Sequence, residues 1–505
     1  MHGTPITLAR APIAALCAVV SMTGNVRADG PAQSSSHVSA LQVSADPTGV
    51  IGTLDRNGPP DAKGAFFQSL GTNGRSCATC HVASQGMSLD ARAVRDRFAQ
   101  TRGRDPLFDP VDGANCPNAR EGNPADHSLL LEHGVIRIFL QMPTNPEFSI
   151  SVVHDPYGCA LVPDPNGGPP FVSVYRRPLP TANLRFLSTI MFDGRETHEP
   201  LNDATSFTEN LGQDLTQQAV DAVITHAEAS HAPSAAQLAD IVGFELGLYT
   251  AQLADSRAGV LGDADAAGGP VELSSQAYHP GINDSLGADP QGAPFDPASM
   301  TLFAAWSALP YESRDPGEIL RDAARRDIAA GETLFNTAPV HISNVRGLND
   351  NAALGFPSVF TGTCTTCHDT PNTGNHSFPL PLDIGTSHST LSGTEKDPNV
   401  AAGLAELSMP DLPVYRVRGC PNPFDPGEPE SFYTSDPGKA LISGSCSDFN
   451  RGKGPILRGL AARAPYFHNG AAASLEELVN FYDQRFQMKL TEAQKRELVA
   501  FLDSL

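Results

Sequence analysis

The sequence predicts a mainly α-helical chain of two halves, each built round a short cysteine–histidine stretch and interrupted by long loop insertions. Two observations predict the halves. Cys77-Ala78-Thr79-Cys80-His81 recurs as Cys364-Thr365-Thr366-Cys367-His368, and helical apolar spacing flanks each copy. A third predicts the insertions: Pro-, Asp-, Gly- and Asn-rich text separates the helical segments. Cys-x-x-Cys-His is the attachment sequence for c-type haem. Two thiols on one turn add to the two porphyrin vinyl groups, and the adjacent imidazole, His81 or His368, reaches the iron as proximal ligand. A zinc ribbon would bring its cysteine pairs within about 15–20 residues of each other. A thioredoxin-like redox pair has no need of the histidine.

The elements follow in order. Arg10, the apolar run Ile13 to Val20 and Val26-Arg27-Ala28 form a secretory signal peptide over 1–28, so the chain is expected in the periplasm. Leu16 before Cys17 argues against a lipoprotein. No later apolar run reaches spanning length, so no integral membrane segment is expected after signal removal. Residues 29–50 read as a flexible leader, 51–315 as the N-terminal haem domain and 316–505 as the C-terminal one. Helices are predicted over Ala62 to Leu70, Asp90 to Ala99, Leu215 to Ala229, and Ala235 to Leu253 with Ser234 and Gln237 as its capping box. From Gly259 to Ala298 the text is a Gly/Pro/Asp-rich crossover between the halves, followed by a predicted helix over Met300 to Leu309. A further helix, Pro316 to Phe335, leads into the second motif. Two helices close the chain, capped by Ser474 with Glu477 and by Thr491 with Gln494. Helix, haem loop and C-terminal helix is the order of a cytochrome c domain, and each half contains it.

Of the nine cysteines, Cys17 and four motif residues leave Cys116, Cys159, Cys420 and Cys446. Each half holds two, which favours Cys116–Cys159 and Cys420–Cys446 among the three pairings in an oxidising compartment. The formal charge is −22, and −24 once Arg10 and Arg27 leave with the signal. Such a surface repels nucleic acid and anionic membrane. It suits a small basic electron donor, or it serves solubility alone; both readings stand.

Three further stretches resemble the bacterial di-haem cytochrome c peroxidase / MauG family. They are Met191-Phe192-Asp193-Gly194-Arg195; Gly454-Pro455-Ile456-Leu457-Arg458 with Ala464-Pro465-Tyr466-Phe467-His468-Asn469-Gly470; and Leu475 to Tyr482. The resemblance implies two covalent haems. The N-terminal one would bind hydrogen peroxide at an open iron position, and the C-terminal one would receive electrons from a small cytochrome or cupredoxin. It also implies a distal acid–base glutamate downstream of a Gln-Ala pair. Counting on from Gln218-Ala219 leads to Glu228, with His226 two residues before it. Tyr482 falls where the family has the sixth ligand of the C-terminal iron, and Met488 is a nearby thioether. His468 corresponds to a histidine near a haem propionate, while Arg195 and Arg458 pair with propionates or buried acids. His376 reads as a loop histidine; Met87, Met142 and Met191 are packing residues or caps on the N-terminal iron. Resembling enzymes also carry calcium between their domains. Phe192 replaces the family's inter-haem tryptophan, and Trp306 lies far along the chain. The function expected is peroxide reduction. A di-haem electron carrier and a di-haem oxygenase of the rubber-cleaving type are the alternatives.

Overall fold

The two motifs adopt one local solution. Each is a single 3-10 turn, Cys77–Thr79 and Cys364–Thr366, closed by a reciprocal capping box: Ser76 with Thr79 in the first, Thr363 with Thr366 in the second. The histidine then turns back, its N–H donating to the carbonyl of the first cysteine at 3.0 Å for His81 and 3.1 Å for His368. This computed structural model describes residues 40–199, 204–310, 313–387, 409, 411–421 and 431–505. The predicted signal peptide lies outside the described residues.

The helices around the motifs are fixed by caps and apolar faces. α1 (Ala91–Thr101) starts where the Asp90 carboxylate accepts from Ala93 N–H and stops at left-handed Arg102. α2 (Ser128–His133) stops at left-handed Gly134, whose N–H donates to the Leu130 carbonyl. α3 (Ala204–Thr225) and α4 (Ala235–Gly247) pack against each other, and α4 carries the predicted Ser234/Gln237 box. α5 (Pro270–Ser274) is brief. α6 (Pro316–Thr337) crosses the last helix, and Ile328, Phe335, Leu498, Phe501 and fully buried Trp306 fill the core between them. α7 (Ala440–Ser443) precedes α8 (Leu475–Arg485) and α9 (Glu492–Asp503). Thr491 and Gln494 form the expected box on α9. On α8, Ser474 caps Glu477 N–H as expected, but the Glu477 carboxylate takes the Ala473 N–H.

Antiparallel sheets occupy much of what the composition marks as loop. β1 (Ala40–Ala45), β2 (Gly49–Asp55), β7 (Leu248–Asp255) and β8 (Gly259–Val260) form one, in that order. The expected leader therefore already holds a strand from Ala40. The helix expected to run to Leu253 ends at Gly247, because Leu248 onward pairs with β2. A side chain at Gly247 would also strike Asn57 and Asp55. Two other expected helices, over Ala62 to Leu70 and Met300 to Leu309, shrink to 3-10 turns at Ala65–Phe67 and Ala304–Ala308. A second sheet joins β3 (Ile136–Gln141), β6 (Phe171–Arg176) and β5 (Leu161–Val162). β4 (Ser149–His154) pairs instead with β11 (Val414–Arg418), which pairs with β12 (Ser431–Thr434), so one sheet draws strands from both halves. β9 (Val340–Ile342) and β10 (Phe360–Gly362) make a hairpin before the second motif. Cys116–Cys159 and Cys420–Cys446 are both bonded, the pairing the sequence favours. Among the described residues no helix is long and apolar enough to cross a membrane.

Candidate haem sites

Each motif lines its own cavity. Cys77, Cys80 and His81 open onto a space walled by Leu215, Gln218, Ala219, Ala222 and Val223 from one face of α3 and by His226 just past its end. Cys364, Cys367 and His368 open onto a second space walled by residues that include Phe335, Val479, Tyr482 and Met488. Two separate cavities are incompatible with a zinc ribbon, in which both cysteine pairs hold one ion. Burial pushes the thiols up, Cys77 and Cys364 to about 12 and Cys80 to about 11, so with nothing bound they stay protonated.

The histidines are held alike. His81 Nδ1 lies 3.1 Å from the Met87 carbonyl, and His368 Nδ1 lies 2.6 Å from the Gly374 carbonyl. In both cases the acceptor is left-handed, with φ of 57° at Met87 and 81° at Gly374. An Nδ1–H bonded to a carbonyl fixes the tautomer that leaves Nε2 free as a ligand. Burial pushes His81 down to about 4 and lowers His368 too, keeping both imidazoles neutral. Sequence spacing alone could not supply these acceptors, although each is six residues past its histidine.

A common wall separates the cavities: Arg176, Arg177, Pro178, Leu179, Pro180, Phe192, Lys453 and Pro455 line both. Arg176 clamps Asp436 with two bonds, at 2.7 and 2.9 Å, and reaches Asp193 through its third nitrogen at 2.5 Å. Arg195 lines the first cavity and pairs with Asp193 at 2.8 Å. Phe192 stacks on His468 with centroids 4.6 Å apart, and His468 lines the second cavity. The Arg177 guanidinium donates to the carbonyls of Leu89, His133 and Arg463. Burial and the neighbouring Arg463 guanidinium push Arg177 down to about 9 and Lys453 to about 8. Buried cations that destabilise one another on a shared wall need anions. Porphyrin propionates entering from both cavities would provide them, so the walls fit the group that the motifs imply.

His226 lines the first cavity with its Nδ1 against Asp112 Oδ2, while Asp112 Oδ1 takes Arg75 Nη1. Arg75 is buried and further held by the carbonyls of Pro106 at 2.6 Å and Leu107 at 2.9 Å. Glu228 is elsewhere. α3 stops at Thr225, the chain turns through left-handed Glu228, and that side chain is exposed. Of the counted pair, only His226 faces the cavity.

No protein-family model matches the chain. Curated proteins do match parts of it. A cytochrome-c peroxidase IdrP2 of Denitromonas iodatirespirans is 31% identical over 156 residues, covering 29% of this chain and 37% of its own length. The IdrP2 of Pseudomonas sp. (strain SCT) is 31% identical over 205 residues, covering 36% and 50%, and the IdrP1 of the same strain is 29% identical over 120, covering 20% and 32%. The chain is similar to cytochrome-c peroxidases. It spans half or less of the length of these relatives, and the likeness supports a peroxidase-like family without pointing to MauG.

The remaining expectations divide. Tyr482 and Met488 both line the second cavity, as does His376. His376 is no exposed loop residue but lies buried between Asp284 and Asp369. Arg458 is absent from both linings; its buried guanidinium has no hydrogen-bond partner and lies nearest the charge of Glu332. Met191 lines the first cavity, Met87 serves through its carbonyl, and Met142 packs near Phe148 and Val417. Trp306 is core, its indole N–H on the Asp263 carbonyl. Sequence reasoning misses Asp112, Arg176, Arg177 and Lys453. It also misses Glu245, a carboxyl in the first cavity that burial pushes up to about 8 and whose Oε2 has no partner. The family resemblance marks Phe192 in the wall, and a charged pair directly before a proline, Arg176-Arg177-Pro178, is the local signal for the rest of it.

Proposed function

We propose that this chain is an exported, periplasmic c-type cytochrome with two covalently attached haems, and that it reduces hydrogen peroxide with electrons from a small cytochrome or cupredoxin. The N-terminal haem is peroxidatic and the C-terminal haem accepts electrons. The observation that carries this reading is His226, backed by Asp112, in the wall of the cavity that also holds His81. When bound, the haem supplies the iron at which the O–O bond breaks and the equivalents that reduce it. The protein's part is proton handling. Asp112, held as a carboxylate by Arg75, fixes the Nδ1–H of His226 and aims Nε2 into the cavity. Nε2 takes a proton from one peroxide oxygen and returns it to the other. With two electrons and two protons the products are two waters.

On the electron side, Phe192 and His468 form the stacked contact in the shared wall. Neither holds an oxidising equivalent easily, so charge crosses between the cavities directly rather than resting on a side chain. Tyr482 and Met488 are the candidates to complete the second iron's ligand set.

The test is the reduced protein mixed with one equivalent of peroxide in a stopped-flow spectrometer. Oxidation of both haems by a single equivalent is expected; unchanged reduced bands would end this reading. A second reading rests on the same Asp112–His226 pair, because a carboxylate-backed imidazole is also a strong metal ligand. If His226 ligates the iron opposite His81, the chain is an electron carrier. Its oxidised spectrum would then be low-spin throughout, whereas the peroxidase shows a high-spin component.

A further inference from the structure

We propose that Asp284, Asp369 and His376 form a binding site for one divalent first-row cation, zinc in the first instance, beside the second cavity. One carboxylate oxygen from each aspartate and one imidazole nitrogen lie within 4.8 Å of one another. Exposure is 2% at Asp284, 0% at Asp369 and 8% at His376, so water does little to screen the two acids. The backbone has already committed the outer lone pairs. Asp284 Oδ2 accepts from Leu286 N–H at 3.0 Å and Ala288 N–H at 2.7 Å, and Asp369 Oδ1 accepts from Ser377 N–H at 2.6 Å. The inner oxygens, Asp284 Oδ1 and Asp369 Oδ2, face the ring, and Asp369 Oδ2 also accepts from Ser285 N–H at 3.3 Å.

The histidine does not satisfy them. His376 Nδ1 is 3.6 Å from Asp284 Oδ1, and Nε2 is 3.4 Å from Asp369 Oδ2. Both exceed the usual 2.7–3.2 Å of an N–H···O bond; Nδ1 accepts from Phe378 N–H at 3.4 Å, and Nε2 has no hydrogen-bond partner among the described residues. An imidazolium bridging two carboxylates would draw them in. Donors bound to a tetrahedral zinc at about 2.0–2.1 Å stand roughly 3.3 Å apart, close to the Asp369–His376 separation. The imidazole argues for zinc or manganese over calcium, which prefers six to eight oxygens. Three protein donors leave a fourth position for water.

This site is distinct from the iron ligands and does not depend on the peroxidase reading. Its place gives it a role. Asp369 follows His368, and the loop from Asp369 to His376 carries Gly374, the carbonyl that holds His368 Nδ1. An ion tying that loop to Asp284 would fix the orientation of the proximal imidazole.

The experiment is elemental analysis of the haem-loaded protein, dialysed first against a chelator and then against zinc chloride. One zinc per chain beyond the iron is expected in the parent, with at least a tenfold loss in Asp284→Asn and in His376→Gln. Zinc-edge X-ray absorption on the unsubstituted protein should show nitrogen and oxygen donors only, which keeps the test valid if a variant fails to fold. No zinc retained by the parent, equal zinc in parent and variants, or sulfur donors at the edge would each overturn the assignment.

Discussion

At the scale of single residues, the two candidates for proton transfer separate cleanly. His226→Ala should lower peroxide turnover by about 10²–10⁴-fold, the range for loss of a general acid–base. Glu228→Gln should stay within about twofold, because that side chain is exposed. Steady-state oxidation of a reduced donor measures both. Glu245 makes a different prediction. Its folded value is about 8 against an ordinary 4.5, so between those limits the native state keeps a proton that the unfolded chain has lost. Stability therefore falls as pH rises from 4.5 to 8. Glu245→Gln should remove that slope, and melting curves should show the variant gaining on the parent by on the order of a few kcal/mol at pH 8. His81 and His368 were legible because their neighbours spell the chemistry out. Glu245 was not: nothing in the text of α4 tells a carboxylate under a haem cavity from one in water.

At the scale of elements, the glycines of two helices give opposite expectations. A Cβ on Gly331 of α6 would lie 2.0 Å from the Glu497 carbonyl of α9. Gly331→Ala must push the helices apart, at a cost of about 1–3 kcal/mol or more. Gly243 of α4 is exposed and has nothing within 4 Å. Gly243→Ala should stabilise by roughly 0.5–1 kcal/mol. Guanidinium unfolding of the haem-loaded protein reads both. The helices with strong caps, α1, α4, α8 and α9, were placed correctly at their starts, because capping is written locally. The end of α4 was not. α4 yields to β7 at Leu248 through pairing with β2, a strand from the other end of the same half, and apolar spacing is blind to that contact.

At the scale of the whole molecule, the formal charge of −22 would steer a basic donor under the proposed peroxidase reading. With a basic cytochrome, kcat/KM for the donor should fall steeply as salt rises from about 10 to 200 mM, since the Debye length shrinks across that range. A salt-independent rate would leave the acidity to solubility alone. Both motif turns were legible from the repeated pentapeptide, and both disulfides from the division of the remaining cysteines. The resemblance had set Phe192 between the haems, but the side-chain pairs that build the common wall were not legible. Arg176 meets Asp436 and Phe192 meets His468 across long stretches of chain, and no local pattern announces such partners.

The sheet in which β4 lies against β11 carries a consequence for biosynthesis. A chain made from its N-terminus presents β4 long before its mate emerges, so the nascent first half has an open strand edge and an unfinished cavity wall. If haem is attached at Cys77 and Cys80 as proposed, attachment before synthesis ends would meet them in that unfinished state. A gene fragment cut between the halves would keep that edge bare, and it should accumulate as aggregate rather than as a small cytochrome.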